Sequence, residues 1–452
     1  MVPPLQSLGR KTEPKTVLAH GCFDVLHLGH KRHLEEARSL GDRLVVSITP
    51  DHLVNKGPGR PVFNADERRE MLLSLDCVDE VIIAPGPTAK ASIELIKPDV
   101  YVKGVDYADS DNIHHIDDIR AQEALGGTVH ITRTAKWSSS RIINSERLSD
   151  EANAYLERAR SRIGFGNISD AFNRADDLRL LFVGETIIDE YRPVTALAKP
   201  SKEFILATVE AKEPEQFLGG VRAASLHADW ANVQVITDDG ESIHKTRYVD
   251  ADFGKKLFEV YNKTRLELGA HQRQSFMDKL AEAQADVVVV FDFGHGLIDA
   301  DARKDLRALG GFLAVNAQTN AGNYGFNPVS KYQGADLACV DLPEARLSVG
   351  EQYAGADQLA GQLGFDRVII TAGRYGSYCP QHVPAFGNRG LDTMGAGDAF
   401  LAVAAPLIAA GLDTEAATFV GNVAGALKTE IVGHRRHVRR DELLQAVEGL
   451  LK

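Results

Sequence analysis

The chain has 452 residues, too many for one ordinary core, and its 44% hydrophobic and 25% charged content predicts a soluble globular protein of two or three domains. Its formal net charge of −12 argues against bulk nucleic-acid binding and leaves room only for local basic pockets. The sequence suggests neither a signal peptide nor a transmembrane run, and its cysteines, Cys22, Cys77, Cys339 and Cys379, form no CxxC pair, so a reducing cytoplasm is expected rather than a zinc site or disulfide framework.

Residues 1–15 read as a loose leader. From 16 to 148 short apolar runs alternate with amphipathic ones. TVLAHG, RLVVSIT, EVIIAP, DVYVKG and TVHITR predict strands, and GHKRHLEEARSLG, NADERREMLLSL, KASIELIK and IDDIRAQEALGG predict helices. Such alternation predicts a parallel α/β sheet. HGCFDVLHLGH, residues 20–30, lies where the first strand gives way to the first helix. Ligands of open parallel sheets sit there, at the carboxyl ends of strands. Gly29 lets a ligand approach the backbone, the helix start favours a phosphate, and His27 and His30 can donate to its oxygens. The same two histidines can instead cap or pack.

Residues 149–177 predict a linker helix and loop. Alternation restarts at Leu178 with LRLLFVGETIID and continues through VQVITDD, DVVVVFDFG, FLAVNAQ, LACVDLPEA and RVIITAG, which predicts a second, different α/β domain over 178–452. LDTMGAGDAF, residues 391–400, opens an apolar helical run. After Gly395, the N–H groups of Ala396, Gly397 and Asp398 would form an anion hole, and Asp398 could take the proton of a hydroxyl attacking a γ-phosphate. A glycine turn with Asp as an ordinary helix cap gives the same letters. No GxxxxGK[ST] pattern occurs, which excludes a P-loop kinase.

GCFDVLHLGH resembles the HxGH signature of the nucleotidyltransferase superfamily, and KWSSSRII, residues 136–143, resembles its second signature. NKGPGRPVFNADERREML and PDVYVKGVDY, between them, are similar to the adenylyltransferase domain of the bifunctional enzymes that make ADP-activated heptose for lipopolysaccharide. The resemblance covers residues 16–145 and implies a Rossmann-like domain in which a sugar phosphate attacks the α-phosphorus of a nucleoside triphosphate. It implies that His27 and His30 contact the triphosphate and that Lys56 helps to neutralise it, with Arg60 a weaker candidate. Gly21, Phe23, Asp24 and Gly29 would line the nucleotide, Ser138, Ser139 and Ser140 would hold phosphate oxygens, and Lys103 and Asp106 would face the acceptor or the nucleotide. Lys56 and Arg60 also read as solvated loop charges. Trp137, where the family usually has Ile or Cys, departs from the pattern.

DTMGAGD resembles the second signature of the PfkB/ribokinase sugar kinases, TAGRYGSYC (371–379) their nucleotide-binding strand and turn, and FLGGVRAAS (217–225) their first signature. VGETIIDEY resembles the start of a heptokinase domain, and KTRYVDADFGKKLFEVY its lid segment and return. The resemblance implies an α/β/α fold with a small β lid that often clasps a dimer, a catalytic Asp398, nucleotide contacts at Thr371, Gly373, Gly376, Gly395, Ala396 and Gly397, and sugar contacts at Asp189, Gly219 and Gly220. Four positions depart from the pattern. Ala223, beside Arg222, stands where the family has an Asn; His295 replaces a lysine; Asn316 and Gln318 replace Asp and Lys. They are expected to lie away from Asp398 and to reshape recognition. The domain order is also reversed, since in the heptose enzymes the kinase comes first.

These resemblances imply a cytoplasmic bifunctional enzyme of activated-sugar synthesis. Its C-terminal half would phosphorylate a sugar or sugar phosphate with ATP and Mg2+, and its N-terminal half would transfer a nucleotidyl group from ATP or CTP to a sugar 1-phosphate. It would act on small molecules, touch neither nucleic acid nor membrane, assign no protein-bound metal, and form a homodimer or larger homo-oligomer. Two alternatives stay open: a kinase half reduced to a non-catalytic binding or dimerisation module, and transfer to a polyol phosphate.

Overall fold

The computed structural model describes residues 14–54, 61–86, 88–104, 113–132, 148–197, 205–238, 240, 242–387 and 390–451. The chain divides into two compact units, Met1–Glu146 and Arg147–Lys452.

The N-terminal unit is built on five parallel strands, Thr16–Gly21 (β1), Arg43–Ile48 (β2), Glu80–Ile83 (β3), Val100–Lys103 (β4) and Thr128–Ile131 (β5), in the order β3-β2-β1-β4-β5. The central strands read as unbroken apolar runs because both of their faces are covered: Val17 and Ala19 pack in one hydrophobic cluster and Leu18 in another. The order reverses between β1 and β4, which opens a crevice at their carboxyl ends. The HxGH stretch leaves β1 there, and Lys103 ends β4 there.

Arg68, on the helix Ala65–Leu73, is fully buried. Its guanidinium donates to the carbonyls of Cys22 (2.6 Å), Thr49 (2.8 Å) and Phe63 (3.0 Å) and to the Asp51 carboxylate (2.6 Å). It thereby ties the exits of β1 and β2 to the start of its own helix. That helix is fixed by a reciprocal cap between Asn64 and Glu67.

The C-terminal unit is an α/β/α sandwich with a second, smaller sheet. Its strands are Arg179–Gly184 (β6), Thr186–Ala196 (β7), Thr208–Glu210 (β8), Glu215–Gly220 (β9), Asn232–Ile236 (β10), Ile243–Asp250 (β11), Lys256–Tyr261 (β12), Val287–Asp292 (β13), Phe312–Ala317 (β14), Leu337–Asp341 (β15), Val368–Thr371 (β16), Ser377–Tyr378 (β17) and His382–Val383 (β18). The large sheet runs β10-β6-β13-β14-β15-β16-β17-β18, parallel until the last two pairings. Along β13 the residues alternate between faces: Val287, Val289 and Phe291 join one core, and Val288 and Val290 the other. The lid sheet runs β12-β11-β7-β8, with β9 also paired to β7.

The fold class agrees with the sequence expectation, and two local readings change. LRLLFVGETIID looks like one strand but holds two, in different sheets, which separate at Glu185. That buried carboxylate accepts the N–H groups of Phe293 (3.0 Å) and His295 (3.1 Å), so it pins the exit of β6 to that of β13. The stretch 149–177 forms two helices, Asp150–Arg162 and Phe165–Asp176, whose apolar faces (Tyr155, Leu156, Ile168, Phe172) belong to the core of the C-terminal unit.

Arg68→Leu should strip three carbonyls and Asp51 of their donor, at a cost of about 3 kcal/mol. Hydrogen exchange should show lost protection across β1, β2 and the Ala65–Leu73 helix while β13 and β14 stay protected. Unchanged exchange in the N-terminal unit would mean that Arg68 is not its tie.

Candidate active site

In the N-terminal unit the chain turns between β1 and the helix Leu28–Arg38 through two non-glycine residues in the left-handed region, Phe23 (φ 49°) and Val25 (φ 49°). Such residues persist only where their surroundings hold them. The clamp is Asp24, between them and buried, whose carboxylate accepts the N–H groups of Val62 (2.9 Å) and Phe63 (3.1 Å). Asp24, expected against the nucleotide, thus anchors the loop that enters the next helix.

His27 caps the Leu28–Arg38 helix. Its Nδ1 accepts from the N–H groups of Gly29 (3.1 Å) and His30 (3.3 Å), which leaves Nε2 as the position for its proton. Burial lowers the His27 pKa against the opposing effect of a main-chain hydrogen bond, so the ring is a neutral donor at pH 7. The His27 and His30 rings stack with centroids 3.9 Å apart, and Phe23 meets His30 edge-on at 5.3 Å. Gly21, at the end of β1, lies against the Phe23 ring. The structure therefore gathers Gly21, Phe23, His27, Gly29 and His30 at one strand end. The N–H groups expected to meet a phosphate are held by His27 itself.

Lys103 is buried and pairs with Asp118 at 3.0 Å, and Asp118 also receives the Lys90 N–H (2.9 Å). Lys56, Arg60, Asp106, Ser138, Ser139 and Ser140 lie outside the described residues.

In the C-terminal unit a cavity of about 550 Å³ brings together Asp189, Gly220, Thr371, Gly373, Gly376, Gly395, Ala396, Gly397 and Asp398. Gly219 stands behind it, against the Asp189 carboxylate. Gly220 turns the chain from β9 into the helix Val221–Leu226 at φ 62°, where a Cβ would fall 2.2 Å from the Glu185 carbonyl oxygen. That backbone position accepts only glycine.

Asp398 lies in the first turn of the helix Ala396–Ala409, whose residues 399–408 are all buried. The Ala396 N–H is used within the turn, donating to Thr393 O at 3.3 Å. The Gly397 and Asp398 N–H groups, in the first turn of the helix, have no acceptors inside it. Burial pushes the Asp398 carboxyl up to about 6, against the opposing charges of His434, Lys428 and Lys245.

Gln318 corrects one expectation. It was to lie away from Asp398, but its Nε2 donates to Asp398 Oδ1 at 2.9 Å, because β14 delivers residue 318 to the cavity rim. Asn316 also lines the cavity and donates to Cys339 O at 2.9 Å. Ala223 and His295 are buried outside the lining residues, and Arg222 is exposed. Burial lowers the His295 pKa to about 4, and the neutral ring is bonded to Thr264 O at 2.8 Å.

Several site residues escaped the sequence reading. Asp189 is clasped by Arg247 and by His434, the latter at 3.2 Å, so burial works against its charge but these partners hold its carboxyl below the ordinary value. Lys245, on β11, faces the same cavity, buried and 5.0 Å above the Tyr261 ring, and is paired with no carboxylate among the described residues. Asp341 and Glu344 also line it; burial raises both carboxyls, and the neighbouring Asp341 charge raises Glu344 further. Only the strand alternation that places Lys245 and Arg247 on one face of β11 was available as a sequence signal.

Residues 18–145 match the family model for cytidylyltransferase-like domains, and residues 320–438 match that for pfkB family carbohydrate kinases. Over 136 residues the chain is 42% identical to the "Bifunctional protein HldE" of Pseudomonas putida, covering 30% of this chain and 28% of that protein. The protein of the same name from Pseudomonas fluorescens is 41% identical over 149 residues, covering 32% and 30%. The chain thus spans less than a third of the length of these curated relatives. Among solved structures, the tetrameric inhibited form of phosphofructokinase-2 from Escherichia coli aligns at 14% identity with a TM-score of 0.47, over 61% of this chain and 100% of that one. Arabidopsis thaliana ribokinase complexed with ribose and ATP aligns at 17% and 0.45, over 61% and 99%.

The two histidines should separate by variant. His30→Ala should cut nucleotidyl transfer about a hundredfold with little loss of stability, as expected for a charge-stabilising donor. His27→Ala should lose transfer and also about 1 kcal/mol of stability, because it is the helix cap. Denaturant unfolding beside a pyrophosphate-release assay reads both; near-normal release by a folded His30→Ala chain would remove the pair from the chemistry.

Proposed function

We propose that this chain, which joins a cytidylyltransferase-like domain to a pfkB family carbohydrate kinase domain, is a bifunctional enzyme of nucleotide-activated, heptose-like sugar synthesis. The C-terminal domain phosphorylates a sugar or sugar phosphate with ATP. The N-terminal domain transfers a nucleotidyl group from a nucleoside triphosphate, ATP or CTP, to a sugar 1-phosphate and releases pyrophosphate. The observation that carries this reading is Asp398, set beside the Gly397 N–H at the mouth of a helix in a cavity that also holds Lys245 and Arg247.

In the kinase half, Asp398 takes the proton of the attacking hydroxyl. The new O–P bond forms to the γ-phosphorus, the bond from the γ-phosphorus to the bridging oxygen breaks, and ADP leaves. The Gly397 and Asp398 N–H groups face the charge on the transferred group. Gln318 orients the Asp398 carboxylate by its hydrogen bond of 2.9 Å. Asp189, held by Arg247 and His434, presents its remaining acceptor capacity to sugar hydroxyls. Lys245, a buried cation without a carboxylate partner among the described residues, favours an acceptor that already carries a phosphate. Thr371, Gly373 and Gly376 form the nucleotide side.

Among the described residues no group of three or more His, Cys, Asp or Glu could hold a metal ion alone. Mg2+ arriving with the nucleotide would be met by Asp341 and Glu344, whose raised carboxyls would gain from a nearby cation, and it would supply neutralisation of the phosphate charge.

In the transferase half, an oxygen of the sugar 1-phosphate attacks the α-phosphorus and pyrophosphate departs. His27, as a neutral Nε2–H donor, and His30 stabilise the growing charge, and Lys56 and the serines 138–140 complete the triphosphate site. Lys103 and Asp106 face the acceptor or the nucleotide.

We read the chain as a cytoplasmic homo-oligomer. Among the described residues no helix is long and apolar enough to cross a membrane. Leu218, Phe258 and Val260, exposed on one face of the lid strands, form a surface that a second copy would cover.

Asp398→Asn should lower ADP formation at least about a hundredfold. It should leave pyrophosphate release by the same chain unchanged. In the unaltered chain the phosphorylation rate should rise with pH through about 6 and then level, because only the unprotonated carboxyl accepts the proton. Equal loss of both activities, or ADP formation that survives the substitution, would contradict the assignment.

A further inference from the structure

Lys428 lies in the last turn of the helix Thr414–Thr429 and is fully buried. A buried ammonium needs all three N–H groups satisfied. Here Nζ donates to three main-chain carbonyls, those of Gly433 (2.8 Å), Met394 (2.9 Å) and Ile431 (3.4 Å). This is the coordination of a cation among carbonyl oxygens. Burial lowers the Lys428 pKa, and the charges of Asp392 and Asp398 oppose that shift.

The carbonyls come from two places. Ile431 and Gly433 follow the helix, whereas Met394 immediately precedes Gly395 in the anion-hole turn. Gly395 has φ +73°, and a Cβ there would fall 3.0 Å from His434 Cε1 and 3.4 Å from Lys428 Cε. The turn therefore lies against the lysine stem, and its direction depends on what holds the Met394 carbonyl. The Lys428 charge also counts among those that oppose the upward shift of Asp398.

We propose that Lys428 is a positioning residue that serves as a tethered monovalent cation: its ammonium fixes the Met394 carbonyl, and with it the aim of the Gly397 and Asp398 N–H groups at the transferred phosphoryl group. This rests on reading the C-terminal domain as a kinase. Two consequences follow from the geometry. The chain needs no free monovalent cation for phosphorylation. Shortening Lys428 leaves a carbonyl-lined hole, the kind of site that replaces the hydration shell of potassium or ammonium.

The test compares the full unaltered chain, Lys428→Ala and Lys428→Met in tetramethylammonium, potassium and ammonium chlorides at equal ionic strength. The unaltered chain should melt at one temperature and phosphorylate at one rate in all three salts. Lys428→Ala should melt lower in tetramethylammonium and recover with ammonium or potassium, while Lys428→Met, whose side chain refills the hole without charge, should not respond. Lys428→Ala should lose phosphorylation about a hundredfold and regain about tenfold of it with ammonium. The acid limb of its pH profile should move upward, since Asp398 has lost a neighbouring positive charge; a purely structural lysine would not move it. Pyrophosphate release should be the same throughout. Selective activation or stabilisation of the unaltered chain by potassium or ammonium would overturn the proposal, as would a folded Lys428→Ala chain with unchanged rate and pH profile. If Lys428→Ala does not fold, the unaltered chain alone decides by its response to the salts. If the unaltered chain transfers no phosphoryl group in any salt, the kinase reading fails, and the melting temperatures still decide whether Lys428 fills a cation site.

Discussion

Asp392 receives hydrogen bonds from four separate parts of the C-terminal unit. Tyr191 Oη reaches it from β7 (2.8 Å), Lys256 Nζ from β12 (2.6 Å), the Met394 N–H from the anion-hole turn (3.0 Å) and the Gly433 N–H from beyond the long helix (2.9 Å). Burial works against its charge, but these donors hold its carboxyl far below the ordinary range. One buried carboxylate thus sets the lid, the phosphate-facing turn and the helix end relative to one another. The N-terminal unit uses the same device with the sign reversed, since the buried Arg68 gathers the exits of β1 and β2 around the HxGH turn.

The same bookkeeping of buried charge governs the chemistry. The kinase-like cavity holds four carboxylates, Asp189, Asp341, Glu344 and Asp398, and the cationic or ionisable Lys245, Arg247, Arg374 and His434. Asp189 is committed to two of those partners, so it remains ionised. Among the described residues Asp398 has only an amide donor, Gln318, in direct contact, and burial raises it to about 6. That places it where a general base works best near neutral pH. The amide at position 318 therefore acts directly on the Asp398 carboxylate.

Much of this was legible in the sequence. Strands buried on both faces, such as VVVVF, appear as continuous apolar runs; the HxGH turn stands where β1 gives way to a helix, and the GAGD turn opens one. What escaped was long-range. Tyr191 and Asp392 are 201 positions apart, and Gln318 and Asp398 are 80 apart, so no local period announces either contact. The switch between sheets at Glu185 was hidden because β6 and β7 are separated by a single residue. Residues 149–177 looked like a linker because their charged faces dominate the composition, while their apolar faces are spent on a core supplied by the far end of the chain.

The most direct measurement is phosphorus NMR of the full chain with ATP or CTP, Mg2+ and a panel of sugars, sugar phosphates and sugar 1-phosphates. The account predicts two product sets: ADP with a new phosphomonoester, and pyrophosphate with a sugar nucleotide. The first should be strongest with acceptors that already carry a phosphate, because Lys245 meets them. A spectrum with pyrophosphate and sugar nucleotide but no ADP or phosphomonoester from any acceptor would contradict it, leaving the C-terminal unit a binding module.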